Sequence, residues 1–457
     1  MSSLGVKMME NKSDETLMDQ ITDMLKKAQT GKSAIPTRLK DWRVYLMRTE
    51  MISLGIKNNA AGSVYSPPAA KLMEKAELFL VWEDEKCSKA VVQNPPPGRA
   101  DHWADHWAAE LVNWRAAAFS DPYRAPIPAP QALPEVKVID AAVEEVTISN
   151  RETLFEYQRK ILDERPRQAM SNGHIMAMLG NHRIWTSTGL NAAYHDSRFA
   201  VSWSFDSIVG ESFARRRLIS GAEWRSLWDN SVITYNQLQT DGCPVSRNTI
   251  IILTPSVVFQ MIEQYVLPNF RGENVLEGQS RFAVNDFVTE AVIGDTGLTL
   301  DIDPLQPDKW ASYRMTGEGI PAMRTTLLSA GKIKSPYLNL KDAGRWNAAP
   351  TAIPQGAAGI RIGHSREEKW EELIGTIDDG IIILSVLGLH TQNPVTGTFS
   401  LSAPHALRIM NGTVTGRTDV RITGNFWDIL KDSNTQYATE EYHDHPYVLY
   451  AGRPENQ

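Results

Sequence analysis

Prolines at 122, 126, 128, 130 and 134 rule out helix and central strand through residues 121–134, because each ring fixes φ and removes a backbone donor. This stretch must be an extended connection, and the chain has to organise itself on either side of it. Before it, Leu17, Met18, Ile21, Met24 and Leu25 recur at helical spacing, with Ser13 or Asp14 as the expected cap and Gly31 as the stop. Trp42 to Arg48 and Leu78 to Trp82 read as strands. The run Asn94–Gly98 then closes a meander-like or βαβ-like region, and a helix is expected from about Arg99 to Phe119.

After the connection, Asn150 is the expected cap of a helix whose stripe is Leu154, Phe155, Ile161 and Leu162. Residues 173–205 read as short strands, and Ile250–Leu253 starts a new buried one. From there glycine turns are frequent, at 294, 297, 317, 319, 388, 397, 412, 416 and 424. The expectation is an α+β protein. An N-terminal α+β domain would span 1–235 and include the Pro-rich connection, and a β-rich, mainly antiparallel domain of curved sheet would span 236–457.

Composition excludes several function classes. With 42% hydrophobic and 22% charged residues the chain has ordinary globular composition, and its net charge of -7 argues against nucleic acid as a partner. Arg215-Arg216-Arg217 is too short to reverse that and reads as a solvated face. The longest apolar run, Ile381–Leu389, is about half a membrane span and is broken by Ser385 and Gly388. Met8-Met9 is followed at once by Glu10-Asn11-Lys12, so no signal-peptide core is expected. Two scattered cysteines, Cys87 and Cys243, read as reduced and buried, which points to the cytoplasm.

The most distinctive segment is Gly388–Ser400, containing His390, Thr391, Asn393, Thr396, Gly397, Phe399 and Ser400. It leads into Ala403–Gly412 and Val420–Leu430. Asn393-Pro394 and Thr396-Gly397 are turn formers, and Asn411-Gly412 is a hairpin signal. Trp185–Leu190, Asp301–Pro304 and Gly317–Thr325 precede them in order. Together this succession resembles the C-terminal signature of the TldD/PmbA family, also called modulators of DNA gyrase. The resemblance implies an N-terminal α+β domain, a C-terminal domain of curved antiparallel sheets, and pairing of a TldD-type with a TldE-type subunit around a peptide-cleaving zinc site. The turn residues of Asn393–Ser400 read first as structural turns; the functional alternative is that the Asn393–Ser400 loop borders a peptide cleft, with His390, Thr391, Asn393, Thr396, Gly397, Phe399 and Ser400 as its candidate residues.

By the same resemblance, a TldD-type chain carries a His-Glu-x-x-x-His helix and a cysteine near its end. Imidazoles and thiolate hold zinc, and the glutamate accepts a proton from the metal-bound water. The equivalent helix here is Thr254–Val266, with Thr254 as cap and Pro255 in the first turn. It has no histidine, and none occurs between His195 and His364. Gln260, Glu263 and Gln264 occupy it instead, and no cysteine follows Cys243. The pattern is that of the TldE-type partner, with no catalytic residue, metal or cofactor of its own and zinc expected in a TldD-like subunit.

His102 and His106 sit four apart on one predicted helix, but no third ligand is evident, so a solvated or partner-contacting helix is preferred. His443-Asp444-His445 departs from the family pattern before the last strand. It reads as a surface turn or partner contact, with a metal pair as the alternative. Trp103, Trp107 and Trp114 lie along one helix and are best explained by packing or an interface. No Gly-x-Ser-x-Gly elbow or phosphate loop occurs.

The leading expectation is a non-catalytic subunit of a metallopeptidase that trims small or unfolded peptides or leader peptides, this chain completing the chamber and binding peptide. One alternative is a self-sufficient metal-dependent hydrolase with a relocated site at His390, His405, His443 and His445. Another is a homodimeric peptide-binding scaffold.

Overall fold

A computed structural model describes residues 12–33, 37–62, 69–93, 103–245 and 249–456. The first half is built on one antiparallel sheet. Its strands are β1 (Leu39–Lys57), β2 (Ala60–Ala61), β3 (Ala69–Trp82), β4 (Cys87–Gln93), β5 (Ser171–Thr186), β6 (Asn191–Phe205) and β7 (Val209–Arg215), in the order β4-β3-β1-β5-β6-β7 with β2 on the end of β1. The meander reading therefore holds and no parallel crossover occurs. The strands expected to be short in 173–205 are 16 and 15 residues long. Buried and partly exposed residues alternate along them, so one face can be buried over the full length.

Five helices cover that sheet. α1 (Lys12–Gln29) and α2 (Trp103–Ala116) bury Met18, Ile21, Leu25, Trp107, Leu111 and Trp114 against Trp42, Val44, Leu46, Leu80 and Trp82. Trp107 and Trp114 are thus packing residues. The first helix already includes Ser13 and Asp14, so neither is its cap, while Gly31 at φ 72 closes it with the Lys32 N–H bonded to Lys27 O. The Asn94–Gly98 run and His102 lie outside the described residues.

α3 (Ala141–Ile148), α4 (Glu152–Glu164) and α5 (Gly221–Gln237) pack on the far part of the sheet against Ile52, Ile175, Phe199 and Trp203. Asp140 caps α3, which the sequence pattern had not marked. Asn150 does not cap α4: Arg151 holds the N-cap position, with no side-chain capping bond, and the Asn150 amide donates to Glu145 Oε1 at 3.4 Å. Phe155 is 37% exposed and leaves the expected stripe to Leu154 and Ile161. Residues 121–134 are free of helix and strand, as their prolines require.

Two sheets form the second half. The strands are β8 (Thr249–Leu253), β9 (Leu298–Ile302), β10 (Thr325–Ser329), β11 (Lys332–Ile333), β12 (Ile360–His364), β13 (Glu367–Lys369), β14 (Asp379–Ile383), β15 (Thr398–Met410), β16 (Thr413–Asn425), β17 (Gln436–Thr439), β18 (Tyr447–Gly452) and β19 (Glu455–Asn456). The larger sheet runs β13-β17-β18-β8-β14-β15-β16-β19, and the smaller β11-β10-β9-β12. The pairs are antiparallel except β8 with β14 and β13 with β17. Asn411 and Gly412, both at positive φ, make the β15–β16 hairpin turn. The architecture is α+β.

The Arg215–Arg217 run is not a solvated face. Arg216 is fully buried: its guanidinium donates to Asp196 Oδ2 at 2.6 Å and to the Ser312 carbonyl, which joins the first sheet to the 306–322 segment. His182 lies 3.2 Å from the same carboxylate and accepts or donates a 2.6 Å hydrogen bond with Tyr45. Burial alone would raise the Asp196 carboxyl, but His182, Arg216 and Arg198 hold it well below the usual carboxylate range. Asp196→Ala leaves a buried guanidinium unpaired and should cost about 3–5 kcal/mol in urea unfolding. A loss under about 1 kcal/mol would show that the pair is not a structural junction.

Candidate functional site

β8 runs straight into α6 (Pro255–Met261), whose buried side, Val257, Val258 and Met261, belongs to the core between the two sheets. Thr254 holds the N-cap position, but its side chain makes no capping bond: the hydroxyl donates to Ile383 O at 3.1 Å, tying the helix start to the end of β14. Pro255 takes the first turn, where no N–H is needed. Beyond Met261 the helix widens into a π-turn, Ile262–Val266, with the Leu267 N–H bonded to Ile262 O. Pro268 explains this, since its ring would crowd the Gln264 carbonyl of a regular helix.

Two of the three positions singled out on this helix, Glu263 and Gln264, are tied to its neighbours. Glu263 Oε1 accepts the Ala357 N–H at 2.6 Å, and Gly356, at φ 65, gives it room. Gln264 donates to Gln392 O at 2.6 Å, and Gln260 makes only a 3.4 Å contact with Ser256 O. Ser256, Phe259 and Glu263 form an exposed stripe.

The Gly388–Ser400 loop lies against the same helix and is largely satisfied by it. Asn269 donates to Pro394 O at 2.9 Å, Arg281 to Thr396 O at 3.3 Å, and Tyr265 to Thr398 O at 3.4 Å. Asn393 Oδ1 accepts from Val395 N, and Asn425 donates to Thr396 O. Gly397 sits at φ 74 against Trp427, where a Cβ would collide with the indole. Phe399 is buried, whereas His390, Thr391, Thr396 and Ser400 are exposed. Most main-chain groups from 392 to 398 are therefore already used inside the fold.

The histidines do not converge. His390 is on an exposed 3-10 turn, and His405 is in the β15 bulge at φ 65. Among the described residues, no group of three His, Cys, Asp or Glu could hold a metal. His106 is exposed on α2.

His443-Asp444-His445 is a junction. Asp444 receives Arg215 through two hydrogen bonds of 2.7 and 3.0 Å, and Lys309 at 2.6 Å. Glu440 accepts from Asn230 of α5 at 2.9 Å and from Tyr447 at 2.7 Å. His443 lies 3.5 Å from Glu211 of β7 and 3.3 Å from Glu440. The sequence pattern had no signal for the ties to Arg215, Asn230 and Glu211, which lie more than 200 residues away, or for Lys309, which lies 135 away.

Residues 246–446 match the family model described as the PmbA/TldA metallopeptidase C-terminal domain. These residues therefore form a C-terminal domain of the TldD/PmbA family. Its fold is similar over 97% of its length to TldE from Thermococcus kodakarensis, with TM-score 0.76, 17% identity and 100% of that chain covered. A candidate gyrase modulator from Thermotoga maritima gives TM-score 0.74 at 16% identity, covering 96% of this chain and 99% of that one. One from Bacteroides thetaiotaomicron gives 0.74 at 14%, covering 98% and 100%. At these identities the likeness is one of fold. An uncharacterised protein of Methanocaldococcus jannaschii is 22% identical over 273 residues, which is 57% of this chain and 63%, under two thirds, of that relative.

Within this TldD/PmbA fold, the His443 junction makes stability pH-dependent. Burial lowers the imidazolium's pKa, but Glu211, Glu440 and Asp444 together outweigh it, so the folded pKa lies above 6.5. A raised pKa gives stabilisation that is complete below the unfolded value and disappears as pH rises through the folded one. The thermal midpoint of wild type should therefore exceed that of His443→Gln most at about pH 6, with the gap closing towards about pH 9. A gap that widens with pH would overturn the assignment.

Proposed function

We propose that this chain is the non-catalytic, TldE-type member of a two-subunit zinc peptidase, in which a TldD-like subunit supplies metal and general base. The observation that carries the reading is the use made of α6 and its π-turn. Where the resemblance calls for two histidines and a free glutamate, the helix has no imidazole, and Glu263 is spent on the Ala357 N–H. A carboxylate without metal ligands beside it has no activated water to deprotonate. Zinc therefore finds no fitting donor set among the described residues of this chain, and no hydrolytic step is assigned to it.

Its own contribution is to close the chamber and bind an extended peptide, a role suited to small or unfolded peptides and leader segments. No helix among the described residues is long and apolar enough to cross a membrane, which accords with a peptidase acting in solution.

The test is co-expression with a TldD-like chain. The pair should co-purify with zinc and cleave an unstructured peptide, while this chain alone should carry less than about a tenth of an equivalent of zinc. Stoichiometric zinc with peptidase activity in the isolated chain would defeat the proposal. In the assembled pair, Glu263→Gln keeps an acceptor for Ala357 N–H and should leave kcat within about twofold of wild type. A loss of about a hundredfold or more is what removal of a general base would give.

A further inference from the structure

Side chains alternate across a strand, so a sheet has two faces to cover. α1 to α5 cover one face of the first sheet, and the 306–322 segment packs on the other at the end where Tyr45 and Tyr194 lie. Further along that second face, the strand registers set Met51 opposite Met178, Met176 opposite Ser53, Met73 opposite Thr49 and Met47 opposite His182. Five of the chain's 15 methionines thus share one patch. Each is at least partly exposed, Met73 at 43%, and none joins the cores built by the helices or by the 306–322 segment.

The patch is also basic, in a chain of net charge -7. Lys71, Lys75 and Arg198 stand directly opposite Met51, Met47 and Met178, and this stretch of the face has no Asp or Glu. Glu77, which pairs with Lys75 at 2.6 Å, lies beyond it, opposite Tyr45. With about 4.8 Å between its four strands and about 3.4 Å per residue over 47–53, the patch measures roughly 15 by 20 Å, or about 300 Å². A stable interface between folded proteins takes about 800 Å² from each side, so this patch is too small to seat one by itself. It matches an extended segment of about six residues, which spans about 20 Å. At its edge Arg198 donates to Gln355 at 3.1 Å, and Gln355 adjoins Gly356 and Ala357, which α6 holds through Glu263. The patch therefore leads to the helix on which a TldD-type chain carries its metal ligands.

We infer that this methionine face, across β3, β1, β5 and β6, binds an extended peptide segment that bears apolar and acidic side chains. The inference rests on the peptide-binding role proposed above and places that binding on the first sheet rather than on the Gly388–Ser400 loop, whose main-chain groups from 392 to 398 are mostly bonded within the fold. Thioether side chains are unbranched and polarisable, so they repack around many apolar partners, while Lys71 and Lys75 favour carboxylates.

The probe is a fluorescein-labelled, unstructured Gly/Ser dodecapeptide carrying leucines and glutamates, followed by anisotropy with the full chain alone and with its co-expressed TldD-like partner. Met51→Ser combined with Met178→Ser should weaken binding by about tenfold, whereas Met51→Leu combined with Met178→Leu should stay within about threefold of wild type. Lys71→Glu should weaken binding of the glutamate peptide by about threefold or more, but not that of a version with lysines in their place. Because these side chains lie outside the cores, thermal midpoints should stay within about 2 °C of wild type. A second measurement needs no variant: with p-benzoylphenylalanine in place of one leucine, irradiation should attach the peptide to β1, β3 or β5 of the wild-type chain. If wild type binds the peptide but the serine variant binds it equally well, or the photoproduct lies elsewhere, the face is wrong and the peptide-binding role stands. If the serine variant no longer co-purifies with the partner, the face is a subunit interface and the inference falls. If neither the chain nor the assembled pair binds the peptide, the face and the peptide-binding role both fail.

Discussion

The second half of the molecule depends on β8 and β14 lying parallel and covered on both faces. Ile251, Leu253, Ile381 and Ile383 face the core shared with α6 and the smaller sheet, while Ile252 and Ile382 face a second cluster with Trp370, Leu373 and Leu407. A parallel pair needs cover on both sides, which explains the unbroken isoleucine runs. The Thr254 hydroxyl on Ile383 O then ties the start of α6 to the end of β14, and Val257, Val258 and Met261 pack it on the core.

Seen from that anchor, α6 and its π-turn form a structural hub. Glu263 and Gln264 hold the 353–359 segment and the Gly388–Ser400 loop on its two sides, and Asn269 and Tyr265 extend the grip along the loop. With no metal ligand beside it among the described residues, Glu263 has no activated water to deprotonate. The same side chains that would carry chemistry in a metal-bearing relative here serve geometry.

A second set of charges ties the two halves together. Asp196, Arg216 and the Ser312 carbonyl form one junction, and Arg215, Asp444 and Lys309 form another. The enclosed Asp196–Arg216 charges are costly unless paired, which makes the first junction the more demanding of the two. The His443–His445 turn belongs to the second junction, which leaves His445 beside Phe259 of α6 with no hydrogen-bond partner for its ring nitrogens among the described residues.

The sequence by itself determined the α+β class, the structureless 121–134 connection, the Asn411-Gly412 hairpin and the lack of histidine on the Thr254–Val266 helix. Each is a local matter of proline, turn chemistry, apolar spacing or residue identity. It misjudged Arg215–Arg217, the caps at Ser13 or Asp14, Asn150 and Thr254, and the exposure of Phe155, because a charge run or a cap residue reads the same whether its partner is water or a distant carboxylate. Only the tertiary structure decided that Arg216 is buried on Asp196, that Glu263 is hydrogen-bonded to Ala357, and that His390, His405 and the His443–His445 turn lie on separate features. Those outcomes depend on which strands and loops meet across 20 to more than 200 residues of chain, and side-chain chemistry alone does not encode that meeting.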